Sequence, residues 1–449
     1  MGGNLSKWTI SYFVVALIWL LAAEFLMVAG FGFPSADIAA PDTLVLVHMI
    51  AVGWLSMTMC GALFQFVPVL ISGPLYAERW TLPALVLLTA GLVALLAGFL
   101  AIGGRIAPWI WLLPLGAGLL IAGFALVVAN LGMTLWQART LSPSARFVAS
   151  GLVAICATII FGGIFSLALF EPSPGLLVSN ILISGLPIHV IAGLGGWMTL
   201  TAIGVSYRLL SMFMLAPDVD ARKSRVTWFL GSLALGVAVV GGAVAIMITQ
   251  GLDLILLLAA VAGVATLLGY ARDVLSLYGS RKRRVLELNT RMAAWSLATL
   301  GVAAVLGLAL LLSGALSRHV GALIFLVAFG WLSGLILASL YKIVPFLTWL
   351  ETYGPVMGKV PTPRVQDLVV ERRGFKWFVM YFGFTWVATA MLVMESPVAF
   401  RIAAAGMIIA TLGVLKELVR ARRLTDVAEP LRLPAGALVP NLLFCRTSS

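Results

Sequence analysis

Charged residues are scarce in this chain, and their scarcity determines its class. Only 10% of the 449 residues are Asp, Glu, Lys or Arg, whereas 62% are hydrophobic. A soluble domain needs many more charged side chains to cover its surface. The composition therefore excludes a soluble globular protein and indicates an integral membrane protein whose first partner is the lipid bilayer.

Cysteine and histidine are rarer still, with three of each. Cys60, Cys156 and Cys445 lie far apart and form no Cys-x-x-Cys pair, so they indicate neither a disulfide framework nor a cysteine-ligated metal site. The sequence also lacks a phosphate-binding glycine loop, a nucleophile triad and a zinc motif. These absences exclude several enzyme classes and direct attention to the histidines.

Long apolar runs are abundant. Runs of about 20 residues, the length that crosses roughly 30 Å of hydrocarbon, occur twelve times. Each run is continuous rather than alternating, which predicts helices and not barrel strands. The sequence thus predicts an all-α integral membrane protein, a single polytopic domain over residues 1–449. The predicted spans are 8–30, 45–71, 82–103, 109–136, 147–170, 182–214, 227–249, 252–278, 292–315, 319–350, 376–394 and 397–419.

Basic residues are concentrated in alternate loops, and this asymmetry predicts the orientation. Most of the 29 Lys and Arg fall in loops on one side, including "SRKRR" at 280–284, and in a basic tail at 422–449; the opposite loops hold only Arg105, Arg318 and Arg401. The positive-inside rule then places both termini in the cytoplasm, as in a bacterial-type inner membrane protein. The net charge of +12 is a signal of topology, and no nucleic-acid partner is expected.

Three segments of the chain resemble one another. They are "GWLSMTMCGALFQFVP" from Gly53, "GWMTLTAIGVSYRLLS" from Gly196 and "GWLSGLILASLYKIVP" from Gly330, on predicted helices 2, 6 and 10. In each segment the same offset from Trp carries Phe64, Tyr207 or Tyr341. A recurrence every four helices predicts a threefold pseudo-repeat of four-helix units. The expected units cover residues 1–140, 141–285 and 286–421.

Each Gly-Trp pair is preceded by one of the three histidines, His48, His189 and His319. By the predicted orientation all three lie toward the outer face, with His189 deepest in its span and His319 nearest to water. An ionisable group inside a span is costly and marks a functional site. We therefore expect at least two of them to bind a cofactor or metal; the alternative is a hydrogen-bonded residue near each helix start.

Twelve helices with histidines on helices 2, 6 and 10 resemble the catalytic subunit of heme-copper oxidases. The segment from Gly330 is similar to helix 10 of the C-type oxidases and related nitric oxide reductases. This resemblance implies a heme b site, with His48 as a low-spin heme ligand, His189 as a ligand of the copper or iron beside a second heme, and His319 on the heme-ligating helix. It also implies a cytochrome or other respiratory subunit as a partner.

The chain departs from that family in its number of ligands. Two hemes and a three-histidine copper site require six histidines, twice the number present. His319 stands twelve residues before Trp331, further than the family's histidine pair, and helix 7 carries none. The sequence therefore predicts a divergent member that is not a complete terminal oxidase. Its plan is also similar to that of heme- and copper-binding proteins of the nitric-oxide response.

Other polar residues in the spans offer further candidates. Glu24 is roughly level with His48 and either orients an imidazole through its second ring nitrogen or points into a wet gap. Arg318 and Arg401 lie on an otherwise charge-poor outer surface and could pair with heme propionates, as arginines do in the oxidase family, although single arginines also cap helices and bind lipid. Arg208 and Lys342, near the inner face, are typical of snorkelling anchors.

Two other functions stay open at this point. One is a copper or small-solute transporter that kept the helical frame, supported by the shortage of histidines and by Arg208 and Lys342 within the spans. Near His48, the soft side chains Met57, Met59 and Cys60 could hold Cu(I), although methionine at helical spacing is more typical of packing. The other is a cofactor-free accessory or assembly subunit. The first function, a redox, gas-binding or nitric-oxide-response hemoprotein, is the one that predicts heme in the purified protein.

Overall fold

The computed structural model describes residues 6–171 and 173–445. Within these residues it contains twelve helices that are long and apolar enough to cross a membrane, and no strand. We number them α1 (Thr9–Ala29), α2 (Pro41–Ile71), α3 (Glu78–Ile102), α4 (Leu112–Trp136), α5 (Pro143–Phe170), α6 (Leu186–Met214), α7 (Ala221–Met247), α8 (Asp253–Gly279), α9 (Leu288–Leu312), α10 (Leu316–Val356), α11 (Glu371–Val393) and α12 (Pro397–Arg422). The predicted all-α membrane architecture is confirmed.

Proline marks the start of several of these helices. Pro41, Pro143, Pro187 and Pro397 each occupy the first or second position of a helix, where the missing N–H has no intrahelical partner to lose. As a result α2 and α5 begin four residues before their predicted starts. By contrast, α6 begins four residues later than predicted, at Leu186, because Leu176–Ser184 forms a separate short helix.

The helices divide into two compact units. Unit 1 comprises the described residues of Met1–Gln65 and Leu286–Ser449, and unit 2 those of Phe66–Val285. In unit 1, α1 packs against α2 and α12, and α10 packs against α9, α11 and α12. In unit 2 consecutive helices from α3 to α6 pack as neighbours, and α7 packs on α5 and α8.

Small residues allow close approach of the α3 and α4 backbones. A side-chain carbon added at Gly91 would lie 2.8 Å from the backbone nitrogen of Leu120, and Gly116 faces the backbone of Leu95 just as closely. Larger residues at either position would force the two helices apart. Within a membrane, where lipid is as apolar as a leucine side chain, such close backbone packing is a main source of helix association.

The predicted basic tail folds back onto unit 1. Arg422, at the end of α12, is 4% exposed; it donates to the Glu351 carboxylate at 2.8 Å and to the backbone carbonyl of Asn441. Further along, the Cys445 N–H donates to the Lys7 carbonyl at 2.9 Å. The two terminal segments therefore meet at one end of unit 1.

Candidate functional site

His48 lies on the eighth residue of α2 and is half-buried. Its Nδ1 is 2.8 Å from the backbone carbonyl of Leu44, one helical turn earlier. A carbonyl oxygen only accepts hydrogen bonds, so this contact places the imidazole proton on Nδ1 and the lone pair on Nε2. This is the arrangement in which a histidine binds a metal through Nε2 while a backbone carbonyl orients the ring.

His189 has the same tautomer in unit 2. It is the fourth residue of α6, and its Nδ1 lies 3.1 Å from the carbonyl of Thr158 on α5. The ring meets Phe165 edge-on, with centroids 5.5 Å apart, and packs close to Gly162. Because α6 begins at Leu186, His189 stands in the first helical turn. The expected seven residues between the start of helix 6 and His189 are reduced to three, and His48 stands further from the start of its own helix.

His319 lies on the fourth residue of α10, beside an ion pair. Arg318 donates twice to the Glu395 carboxylate, at 2.5 Å and 2.7 Å, and the same carboxylate interacts electrostatically with His319. The hydrogen bonds from Arg318 hold the pKa of Glu395 below its usual range. Because the pair is exposed, these charges lie where water screens them.

Both candidate propionate arginines contact protein groups. Arg318 pairs with Glu395, and the Nε of Arg401 donates to the Val28 carbonyl at 2.9 Å. Arg401 also packs against Gly30, where the backbone after α1 has a φ of 78°. A residue with a side chain would be strained at that φ and would crowd the guanidinium. Arg401 thus ties the end of α1 to the start of α12.

Glu24 is bonded to α12. Its Oε1 accepts a hydrogen bond from Thr411 Oγ1 at 2.9 Å, and the side chain has no exposed surface. For His48, the backbone carbonyl of Leu44 is the partner observed at Nδ1. The structure therefore gives Glu24 a contact that sequence reasoning did not anticipate.

Each Gly-Trp segment contains a π-helical turn. The turns cover Met49–Ser56, Ile191–Leu200 and Leu326–Ser333. In each, the residue two positions after Trp is Ser or Thr, and its hydroxyl donates at 2.7 Å to the carbonyl five residues earlier. The three bonds are Ser56 to Ala51, Thr199 to Leu194 and Ser333 to Ala328. Sequence reasoning missed these turns, although the recurring hydroxyl was a signal; π-turns are frequent at functional sites.

The π-turn of α10 joins a buried polar network in unit 1. The Trp54 indole N–H donates to Ser333 Oγ at 2.8 Å, and the Tyr381 hydroxyl donates to the Phe329 carbonyl at 3.0 Å. Ser333 is also a hydrogen-bond neighbour of Tyr381. Residues from α2, α10 and α11 are therefore connected by hydrogen bonds in the interior of the unit.

The two basic residues predicted as snorkelling anchors both form ion pairs. Arg208 pairs with Asp218 at 3.1 Å, and Lys342 pairs with Glu287 at 2.6 Å. The first pair is largely exposed, whereas the second is 18% and 12% exposed. The exposed Arg208 pair, six residues before the end of α6, fits an anchoring role, whereas Lys342 lies within α10 and is neutralised by the mostly buried Glu287.

His48 and His319 belong to unit 1 and His189 to unit 2. Within residues 6–171 and 173–445, no group of three or more His, Cys, Asp or Glu side chains is arranged to hold a metal ion. The donors present fit single axial ligation of a heme by His48 or His189, each with Nε2 as the ligating atom. They do not fit a three-histidine copper site.

One solved structure places this architecture among known folds. A heme-copper terminal oxidase dimer determined by cryo-electron microscopy matches with a TM-score of 0.55 and 13% sequence identity, over 97% of this chain and 85% of the other. The fold is that of a heme-copper oxidase. No family model and no curated protein matches the sequence. At this identity the similarity establishes the fold, and the site must be argued from the residues of this chain.

Proposed function

We propose that this chain is a b-type heme-binding membrane protein built on the heme-copper oxidase fold. It has a redox, gas-binding or nitric-oxide-response role and lacks a complete oxygen-reducing centre. It would reside in a bacterial-type inner membrane with a cytochrome or another respiratory subunit as partner. The observation that carries the proposal is the hydrogen bond between His48 Nδ1 and the Leu44 carbonyl.

The His48 contact supports heme ligation because it selects the tautomer that ligation needs. With the proton held on Nδ1, the Nε2 lone pair is the one presented to a metal. The ring is half-buried near the start of α2, a helix whose next turns pack against α1. When bound, heme would supply a one-electron redox change and a site for a diatomic gas.

His189 supports a second and different role. Its Nδ1 contact crosses from α6 to Thr158 on α5, whereas the contact of His48 stays within α2. We assign to His189 a role in binding a gas or a metal ion, and to His48 the ligation of the heme itself. Arg401 and Arg318 are proposed as secondary partners of the heme propionates. In that role Arg401 would exchange the Val28 carbonyl, and Arg318 the Glu395 carboxylate, for a propionate oxygen.

The histidine count supports the absence of a complete centre. Three histidines supply at most half of the six ligands that two hemes and a copper site take in the oxidase family. The chain is therefore proposed to bind one heme and to carry out no complete reduction of oxygen.

The test is the optical spectrum of three single variants made with ample heme supply. We expect wild type to show a Soret band, His48→Ala to lose or strongly shift it, and His189→Ala to change the carbon monoxide spectrum or the metal content. His319→Ala is the matched control, because His319 lies beside the exposed Arg318–Glu395 pair, and its spectrum should stay near wild type.

Three outcomes would contradict the proposal. Colourless wild-type protein would favour the cofactor-free accessory function, and copper uptake in vesicles by heme-free protein would favour the transporter. Equal, negligible effects of all three substitutions on a heme-containing protein would mean that the ligand is not histidine.

A further inference from the structure

Glu24 is a carboxylic acid sealed inside the helices of unit 1. It lies five residues before the end of α1 and has no exposed surface. Oε1 accepts the hydrogen bond from Thr411 Oγ1 at 2.9 Å. Oε2 has no hydrogen-bond partner among the described residues. One oxygen of this carboxyl is therefore fixed by protein, and the other is not.

No cation compensates the carboxyl within the described residues. The helices packed on α1 are α2 and α12. On α12, Arg401 bonds to the Val28 carbonyl, and the other charged residues lie in the last turns of that helix. On α2, Asp42 and His48 are in the first two turns, with His48 Nδ1 against Leu44. The titratable group that interacts electrostatically with Glu24 is Tyr381, which is neutral at ordinary pH.

An unpaired carboxylate in such a place is costly. Transfer of an isolated charge from water to an apolar interior costs many kcal/mol, and a carboxyl avoids this cost by keeping its proton. A neutral carboxylic acid avoids the cost of the charge and leaves one hydroxyl donor without an acceptor, which is a much smaller cost. Thr411 supplies the donor for the carbonyl oxygen Oε1, which leaves Oε2 as the hydroxyl oxygen.

We propose that Glu24 is a proton-binding site in the membrane-spanning core of unit 1. The carboxylate takes up one proton on Oε2 to form the neutral acid, and Thr411 holds Oε1 in place. The ligand is the proton alone, so the step needs no oxidant or co-reactant. The site does not depend on heme or on any of the histidines.

The position of Glu24 favours exchange of this proton with water. Five residues along α1 correspond to about 8 Å, a short distance to the helix end at Ala29. Tyr381, which interacts electrostatically with Glu24, has its hydroxyl in the Phe329–Ser333 network. Buried acids near hydroxyl groups within a membrane-spanning core are typical of sites that take up and exchange a proton.

Infrared spectroscopy of the purified full-length protein tests the proposal. We expect wild type at pH 7 to show the carbonyl stretch of a protonated carboxylic acid, shifted in heavy water because the proton exchanges. Glu24→Gln, which keeps the shape, should abolish this band. Thr411→Val should move it to higher frequency, because the hydrogen bond to the carbonyl oxygen is lost.

The matched control is Glu417→Gln, since Glu417 is equally buried on α12 but is paired with Arg373 at 2.7 Å. It should leave the band unchanged. The proposal is overturned if Glu24→Gln removes a carboxylate signal instead, or if the band persists in that variant. An unmoved band in Thr411→Val would also overturn it. If Glu24→Gln fails to fold, the Thr411→Val shift decides alone.

Discussion

Ser333 shows how one hydroxyl can connect separate helices. It accepts the Trp54 indole N–H from α2, donates to the Ala328 carbonyl in its own π-turn and has no exposed surface. Trp54 is also fully buried, so its N–H has no access to water once this acceptor is removed. The hydrogen bond therefore stabilises a specific contact between α2 and α10.

Substitution of Ser333 by Ala is expected to lower the free energy of unfolding by about 1–3 kcal/mol, the cost of leaving a buried donor unsatisfied. Thermal unfolding in detergent measures the change. Thr389→Val in α11 is the matched control, because its buried hydroxyl donates only to the Thr385 carbonyl of the same helix, and it should cost at most about 1 kcal/mol. Equal effects of the two substitutions would contradict the structural role of Ser333.

Sequence reasoning identified the polar residues of the spans but not their partners. His48 and Glu24 stand out because an imidazole or a carboxyl within an apolar run is costly. The contact of His48 with Leu44 lies within one helical turn, whereas the contact of Glu24 with Thr411 follows from helix packing. The second contact joins residues 387 positions apart, and no local pattern specifies such a pairing. Residue types therefore predict which positions carry a functional group, whereas tertiary packing decides which partner that group contacts.

Among the helices, number and type were predictable, and fine geometry was not. Continuous apolar runs fixed the twelve spans because each must satisfy its backbone hydrogen bonds within the bilayer. The starts of α2, α5 and α6 differed by four residues, since proline and short separate helices override hydropathy there. A π-turn contains one extra residue compared with a turn of α-helix, and the hydropathy of a span does not reveal that extra residue.

The segment after α12 is fastened by a charged cluster. The Asp426 carboxylate accepts hydrogen bonds from Arg373 and from Arg420, each at 2.6 Å. Burial alone would raise the pKa of Asp426, but the bonds from Arg420 and Arg373 outweigh it and hold the pKa below its usual range. This carboxylate therefore favours the folded state in its ionised form.

Asp426→Asn is expected to lower the free energy of unfolding by roughly 1–3 kcal/mol at pH 7. The free energy of unfolding of this variant should also fall less than that of wild type as the pH is lowered. In wild type the contribution is complete above the ordinary pKa of an aspartate, about 3.9, and is lost as the pH falls through the lower folded-state pKa. Unfolding midpoints in detergent between pH 7 and pH 3, compared for wild type and Asp426→Asn, measure this contribution.

The control for that measurement is Asp218→Asn. Asp218 also pairs with an arginine, but the pair is 41% and 73% exposed, so water screens it and the effect should be smaller. Similar losses for the two variants would mean that the Asp426 cluster contributes no more than a surface ion pair.

For the whole molecule, the orientation in the membrane remains a prediction. Ser280 follows α8 in the basic segment, and Ser313 follows α9 in a loop poor in charge, so one crossing separates two exposed serines. With both termini cytoplasmic, an impermeant thiol reagent added to intact cells should label Ser313→Cys and not Ser280→Cys. The unsubstituted protein controls for its own three cysteines. The reverse labelling would contradict the orientation.

The threefold pseudo-repeat also belongs to this scale. The Gly-Trp segments share a π-turn and a hydroxyl bonded to the carbonyl five residues earlier, as noted for α2, α6 and α10. These local features recur where the repeat was predicted, whereas the two compact units do not coincide with its boundaries. The repeat thus stays a hypothesis about the sequence.

The central claim is that an oxidase fold with three histidines binds one heme and no complete heme-copper centre. Heme and copper content per chain, measured on protein purified after expression with ample heme and copper, tests it most directly. The account predicts one b-type heme per chain in wild type and its loss in His48→Ala, with His319→Ala unchanged. Protein without heme, or with two hemes and a copper ion per chain, would contradict it.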